Sequence, residues 1–270
     1  MRIPFTKAHG AGNDFLLSWA EQVPALDLPA IDLPSTARAI CDRHTGIGAD
    51  GWIIIRDHSI RLFNADGSEP EISGNGTRCA AALLIESGRG SDDLVISTGA
   101  GPKHLRLLER KGRRFLFEMD MGLPKFDERE IRYSLPLQRG PREVTIDVTI
   151  VDVGNPQCVV FVDAFPPDWE ALGAEIEGHA HFPKRTNVSF VNVIDAHTIE
   201  TRFYERGAGV TLSSGTGSTG AAVAAILRKL AVSPVTVRTP AGESLGLRWD
   251  DSVYLTGPAE IVGTGEFYVG

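Results

Sequence analysis

The sequence predicts an α/β protein of the α+β kind. It reads as two similar lobes made by tandem duplication, each a mainly antiparallel, barrel-like sheet around one central helix. Three observations carry this. First, features recur at nearly one offset: Gly12 and Asn13 return as Gly154 and Asn155 after 142 residues, and the loop SGNG (73–76) returns as SGTG (214–217) after 141. Asn64 and Glu205, each nine residues before its loop, keep the step of 141. Second, β-rich runs fill both halves. Third, each matched loop opens an Ala-rich helical stretch, whose small side chains let strands approach closely.

The elements follow in order. The opening run, MRIPFTKAHG, is strand-like, and PSTARAICDRH (34–44) has helical periodicity. WIIIRD (52–57), IRLFNAD (60–66), LVISTG (94–99), KHLRLLER (103–110) and RRFLFEMD (113–120) are β-rich runs between Gly, Asp and Ser turns. The first central helix is GTRCAAALLIESG (76–88). In the second half the strands are 144–154, 158–163, 187–194, 198–207, 234–242, 244–251 and 252–269, with the second central helix at 217–230. The boundary between lobes is expected near Met119 to Lys125, where a strand ends in GLPK, giving lobes 1–118 and 119–260.

Composition narrows the function classes. A formal charge of −8 argues against a broad nucleic-acid footprint, yet leaves room for a small anionic substrate held by local donors. Cys41, Cys79 and Cys158 are an odd, widely spaced set without a CxxC pair, so neither a disulfide framework nor a metal site is expected. No apolar signal region opens the chain, and the apolar helix around Ala221 to Leu227 is far too short to span a bilayer. The expectation is a soluble, cytoplasmic protein with no membrane partner and no nucleic-acid partner.

The two loops suggest the chemistry. A helix N-terminus carries free N–H groups and roughly half a positive charge, so it attracts anions. Were the halves to face one another, two such termini would point into one cleft, grip a carboxylate and lower the pKa of a nearby thiol. A single Gly-x-Gly loop is most often a structural turn; two at matched repeat positions are harder to explain that way.

The stretches HGAGNDF (9–15), GIGADG (46–51), NADGSEPEISGNGTRC (64–79), GNPQCV (154–159), RTNVSF (185–190) and ERGAGVTLSSGTGS (205–218) closely resemble the diaminopimelate epimerase family, in the family's order. The resemblance implies a cofactor-independent isomerase that interconverts LL- and meso-2,6-diaminopimelate, on the route to lysine and cell-wall precursors. It implies no metal and no cofactor, a small diamino diacid as partner, a homodimer, and a last strand (261–270) returning to the first lobe. In that family two cysteines on opposite faces of the substrate α-carbon remove and return its proton. Those positions fall on Ser73 and Ser214. By the same resemblance Gly74, Asn75, Gly215 and Thr216 hold the reacting carboxylate. Asn13, Asn64, Asn155, Asn187, Glu205 and Arg206 recognise the far amino-acid end, where the bland alternative for Glu205 and Arg206 is a surface ion pair.

The departures matter as much. A thiol ionises near ~8.5, whereas a serine hydroxyl lies roughly 5 units higher, closer to water. The family's GNPH reads GNPQ, placing Gln157 where a histidine is frequent, and Gly51 stands where some members carry glutamine. His9, His44, Glu69 and Glu71 lie in or near matched motifs as other bases, though a structural role suits each of them better. Three readings stay open: an epimerase silenced by loss of two sulfurs; a divergent isomerase or dehydratase of another amino or hydroxy acid; and a non-catalytic amino-acid binder.

Overall fold

The computed structural model describes residues 2–23, 32–139 and 142–269. These divide into two compact units, one running to Met119 and resumed from Thr256 onward, the other spanning Asp120–Leu255.

In the first unit, β1 (Arg2–Gly10) and β2 (Asn13–Trp19) form a hairpin, followed by α1 (Leu33–Cys41), β3 (Gly51–Arg56) and β4 (Ser59–Asn64). Then come the central helix α2 (Gly74–Glu86), β5 (Asp93–Thr98), β6 (Gly101–Lys111) and β7 (Arg114–Gly122). The strands pair in sequence order from β1 to β7. The last strand of the chain, Val253–Tyr268, lies between β7 and β1, closing an eight-stranded barrel. Most ladders are antiparallel; β2–β3 and β4–β5 are parallel. Helix α2 fills the barrel, and every residue from Gly74 to Leu84 is buried.

β3 explains itself from its sequence. GWIIIR is a continuous apolar run because both of its faces are covered. Trp52 and Ile54 pack with Ala37, Ile40 and Cys41 of α1, while the Ile53 methyl lies against α2 at Gly76. Helix α1 stops at Cys41, short of the 34–44 expected. The Asp42 carboxylate takes the amides of His44 and Thr45, turning the chain out of the helix.

The second unit contains β8 (Tyr133–Arg139), β9 (Arg142–Asp152), β10 (Pro156–Phe161), α3 (Trp169–Glu177), β11 (Asn187–Asp195), β12 (Thr198–Glu205) and β13 (Gly209–Thr211). The central helix α4 (Gly215–Leu227), β14 (Val235–Arg238), β15 (Ser244–Trp249) and the start of β16 (Val253–Tyr268) complete it. Among the described residues, the path β8-β9-β10-β11-β12-β14-β15-β16 carries no pairing of β8 beyond that with β9. Helix α4 is buried from Gly215 to Ala225. Four of the described elements are absent from the sequence-based reading: β2, β8, α3 and the short β13. Helix α3 lays Trp169, Leu172 and Ile176 on Val188 and Phe190, taking the place that α1 has in the first unit. Strand β8 buries Leu135 and Leu137 on either side of Pro136.

Both central helices begin two residues earlier than expected and include the Gly-rich loops. The reason is the cap. Ser73 and Ser214 hold extended backbones, and each Oγ accepts the amide three residues on, Gly76 at 3.1 Å and Gly217 at 3.0 Å. The final strand extends from Val253 to Tyr268, and Gly270 lies outside the described residues.

Candidate active site

In the first unit the site is assembled around the α2 cap. The β1–β2 hairpin turns on Ala11 and Gly12, both left-handed (φ 52° and 85°), as a two-residue turn requires. The His9 ring Nδ1 accepts the Gly12 amide at 3.3 Å, so this histidine shapes the turn. The turn delivers Asn13 to the helix: Asn75 Nδ2 donates to Asn13 Oδ1 at 3.2 Å. Gly10 allows the approach, because a Cβ there would lie 3.0–3.2 Å from Asn75 Cβ, Cα and O.

Behind Asn13 sits a group that the motif reading passed over. Asn13 Nδ2 donates to Asp50 Oδ2 at 2.6 Å, and Asp50 and Asp14 accept each other's backbone amides at 3.1 and 3.2 Å. Arg43 bridges the two carboxylates at 2.7 Å each, and Lys7 reaches Asp14 at 2.9 Å. Burial opposes ionisation of both acids. At Asp14 the bonds from Arg43 and Lys7 outweigh it and hold the carboxyl below its ordinary value. At Asp50 burial, reinforced by the Asp14 charge, pushes the carboxyl up. A sequence signal existed, since both acids stand inside the GND and GAD motifs.

Asn64 ends β4, its Nδ2 bonded to Ser68 Oγ at 3.0 Å. Ser73 is half-buried and lines a cavity of about 470 Å³ with Arg61, Glu69, Glu71 and Gly99. Glu69 is held bidentately by Arg61, at 3.0 and 2.9 Å. His44 lies in an exposed turn after α1.

The second unit repeats this with other side chains. Asn155 Nδ2 donates to Thr216 Oγ1 at 3.3 Å, the counterpart of the Asn13–Asn75 bond. Its Oδ1 accepts Gln157 Nε2 at 2.6 Å. Gln157 is fully buried against α4, where a Cβ on Gly220 would lie 2.8 Å from Gln157 Cγ. Asn187, the first residue of β11, donates to Pro156 O at 2.9 Å and accepts the Arg206 amide at 3.0 Å. Glu205 ends β12 and accepts Thr211 Oγ1 at 2.6 Å; Arg206 Nη1 donates to Lys184 O at 3.3 Å. Ser214 is buried. Thus Asn13, Asn75 and Ser73 gather at one cap, and Asn155, Thr216 and Ser214 at the other, while Asn187 and Arg206 brace a loop beside Glu205.

The topology also places Gly51. It opens β3 opposite Phe15, as Asn187 opens β11 opposite Gln157 in the corresponding parallel pair of the second unit. A Cβ on Gly51 would sit 2.8 Å from the Phe63 carbonyl oxygen, so a side chain is excluded unless β4 shifts. Among the described residues no group of three His, Cys, Asp or Glu side chains could hold a metal ion.

The family profile described as diaminopimelate epimerase matches residues 5–126 and 149–262, which include both caps and both asparagine turns. The chain belongs to the diaminopimelate epimerase family. Among curated members, the diaminopimelate epimerase of Pelotomaculum thermopropionicum is 42% identical, covering 97% of this chain and 98% of its own. Diaminopimelate epimerase 1 of a Nostoc species is 41% identical, covering 98% of this chain and 100% of its own. Solved structures extend the fold beyond the diaminopimelate epimerase family. A hydroxyproline epimerase from Agrobacterium vitis, with bound trans-4-hydroxy-L-proline, aligns with a TM-score of 0.72 at 16% identity, over 98% of this chain and 92% of that one. A Bacillus anthracis protein of the PhzF family aligns with a TM-score of 0.66 at 14% identity over the whole of both chains.

Proposed function

We propose that the protein binds 2,6-diaminopimelate and interconverts its LL and meso forms, in the supply of lysine and peptidoglycan precursors, with Ser73 and Ser214 at the two acid–base positions. The observation that carries the reading is the pair of matched caps. In each unit a serine hydroxyl stands at a helix N-terminus, next to an asparagine turn tied to the second helical residue. Gly74, Asn75, Gly215 and Thr216 supply first-turn donors for the reacting carboxylate. Asn64, Asn187, Glu205 and Arg206 recognise the distal amino acid. Asn13 and Asn155 brace the caps as well as facing substrate.

The reaction is a proton exchange at one carbon. One oxygen, as alkoxide, takes the α-proton; the electron pair left behind delocalises into the carboxylate, whose charge the helix ends stabilise. The other hydroxyl then gives its proton to the opposite face, and the roles are reversed for the next turnover. Serine makes the first step hard. At ~1.36 kcal/mol per pH unit, ionisation roughly 5 units above a thiol costs on the order of 7 kcal/mol more, and slows the step by about 10⁵. Turnover is therefore severely impaired, while recognition is retained. The protein acts in the cytoplasm, as a homodimer; no described helix is long and apolar enough to cross a membrane.

The test is α-proton exchange of LL-diaminopimelate in D₂O, followed by NMR, for this chain and for Ser73→Cys/Ser214→Cys. The double variant is expected to exchange up to ~10⁵-fold faster. Exchange in neither, despite native folding, would reject the substrate. Equal exchange in both would reject the assignment of the two serines.

A further inference from the structure

Behind the two caps the chemistry differs by one charge. Four residues into each helix after the first glycine, the two units carry Arg78 and Thr219, again 141 positions apart. Thr219 Oγ1 donates to Gly215 O at 2.8 Å, and Arg78 Nη1 donates to the matching Gly74 O at 3.3 Å. The same first-turn carbonyl is held by a neutral hydroxyl in one unit and by a guanidinium in the other. Arg78 is fully buried, and its other donors go to Pro258 O and Asn75 Oδ1, both neutral. Among the described residues it has no ion pair. Burial pulls the group down to about 10, which still leaves it charged at neutral pH. Helical side chains lean towards the N-terminus, so the guanidinium lies level with the first turn and adds to the helix dipole there.

Neighbouring charges do not cancel the difference. On the elements around α2, Lys7 and Arg43 are matched by Asp14 and Asp50, Arg61 by Glu69, and Lys103 of β6, opposite Ile96, is buried and adds to the positive charge of this unit rather than cancelling it. Glu71 is exposed, and His9 is tied to the hairpin turn. Helix α4 has no charged residue between Gly215 and Leu227. On the strands against it, Asp152, Glu200 and Arg238 are exposed, Asp147 is paired with Arg228 at the far end of the helix, Arg202 lies over the Phe165 and Trp169 rings, and Arg248 over the Tyr254 ring. Near the α4 cap, Glu205 and Arg206 are adjacent and of opposite sign.

We propose that Arg78 is a positioning residue that makes the α2 cap the anionic end of the acid–base pair, so that an acid at position 73 loses its proton more readily than one at position 214. This rests on the reading of the two caps as the acid–base positions. In the resting protein, position 73 is then the base and position 214 the proton donor, and a buried cation otherwise without an acid gains its counter-charge at the cap. A unit charge about 7 Å away, at an effective dielectric constant of ~20, shifts an acid by about 1.5–2 pH units.

The test needs no substrate, so it fails or succeeds independently of the diaminopimelate assignment. Ser73→Cys and Ser214→Cys are made singly in the full chain, and each thiol is titrated by its ultraviolet thiolate absorbance. The background is silent: burial pushes Cys41 and Cys79 up to about 12 and Cys158 higher still. The S73C thiol is expected to titrate at least about 1 pH unit below the S214C thiol. Arg78→Met should raise the S73C midpoint by a similar amount and leave S214C unmoved, while Arg78→Lys keeps it low. Equal midpoints, or a lower one for S214C, overturn the proposal. A gap unchanged by Arg78→Met also overturns it, because the difference would then come from the deeper burial of position 214. If Arg78→Met does not fold, Arg78→Gln, which can keep a hydrogen bond to the helix while removing the charge, decides: it must raise the S73C midpoint and leave S214C unmoved.

Discussion

Asn13 is gripped from behind by a carboxylate, Asn155 by a carboxamide. Asp50 can only accept, so the Asn13 amide turns its NH₂ group to the rear and its oxygen to the helix, where Asn75 donates to it. Gln157 donates, so Asn155 turns its oxygen to the rear and its NH₂ group to Thr216. Duplication preserved the strut between turn and helix while reversing its polarity. Equivalent positions in a repeat therefore share a place, and the group behind each one decides what it offers.

The largest effect that would sharpen this contrast is steric. A Cβ on Gly217 would lie 2.8 Å from both Ser214 Oγ and Phe203 Cδ1, whereas on Gly76 it would meet mainly the Ile53 methyl, at 2.9 Å. Gly217→Ala should cost about 2–3 kcal/mol and loosen the α4 cap. At Gly76→Ala the methyl can swing away and helix propensity offsets the strain, leaving the change within ~1 kcal/mol. Urea unfolding of both variants gives the comparison, and equal costs would mean that the two caps are equally tight.

Next in size is the acid pair. Asp14 is held below its ordinary value in the folded chain, so it contributes stability that is complete above about 3.8 and is lost as pH falls through the lowered value. Asp50 is raised, so its contribution is present at acid pH and lost as pH rises through the raised value. At pH 7, Asp14→Asn should cost ~1–3 kcal/mol by removing charge-assisted bonds to Arg43 and Lys7. Asp50→Asn should cost less than half as much. Chemical denaturation at neutral pH and again near pH 4 should show the two costs converging. The smallest effect expected is that of Thr216→Val, which removes the acceptor of Asn155 and should cost about 1 kcal/mol. A loss as large as that of Asp14→Asn would mean that the second unit relies on its strut as heavily as the first relies on its ion cluster.

Much of this is legible in the amino-acid sequence. The offsets of 141 and 142 located both caps and both turns, because capping serines, left-handed glycines and helix-facing asparagines are local demands written in local residues. Arg78 was not legible in that way. Its importance lies in what it lacks, an acid partner, and only the packing of Pro258 O, Gly74 O and Asn75 around it reveals that. Helix α3 was missed because Trp169, Leu172 and Ile176 make a short apolar stripe among glycine and acidic residues, whose stability comes from packing on β11 rather than from the stripe itself. The place of β8 at the end of the described strand order could not be read either, since strand order is a non-local property.

Closure of the first barrel by β16 has a consequence for synthesis. The ladder joining Arg2 to Tyr268 and His9 to Glu260 ties β1 to β16, with the whole second unit between them in sequence. The second unit, contiguous from Asp120 to Leu255, has all its strands except the start of β16 once residue 249 is free of the ribosome. The first unit, although made earlier, must wait with an unpaired β1 edge until β16 emerges. The unit that begins earlier in sequence is thus the one whose barrel is completed later, and in the interval its β1 edge is open to mispairing.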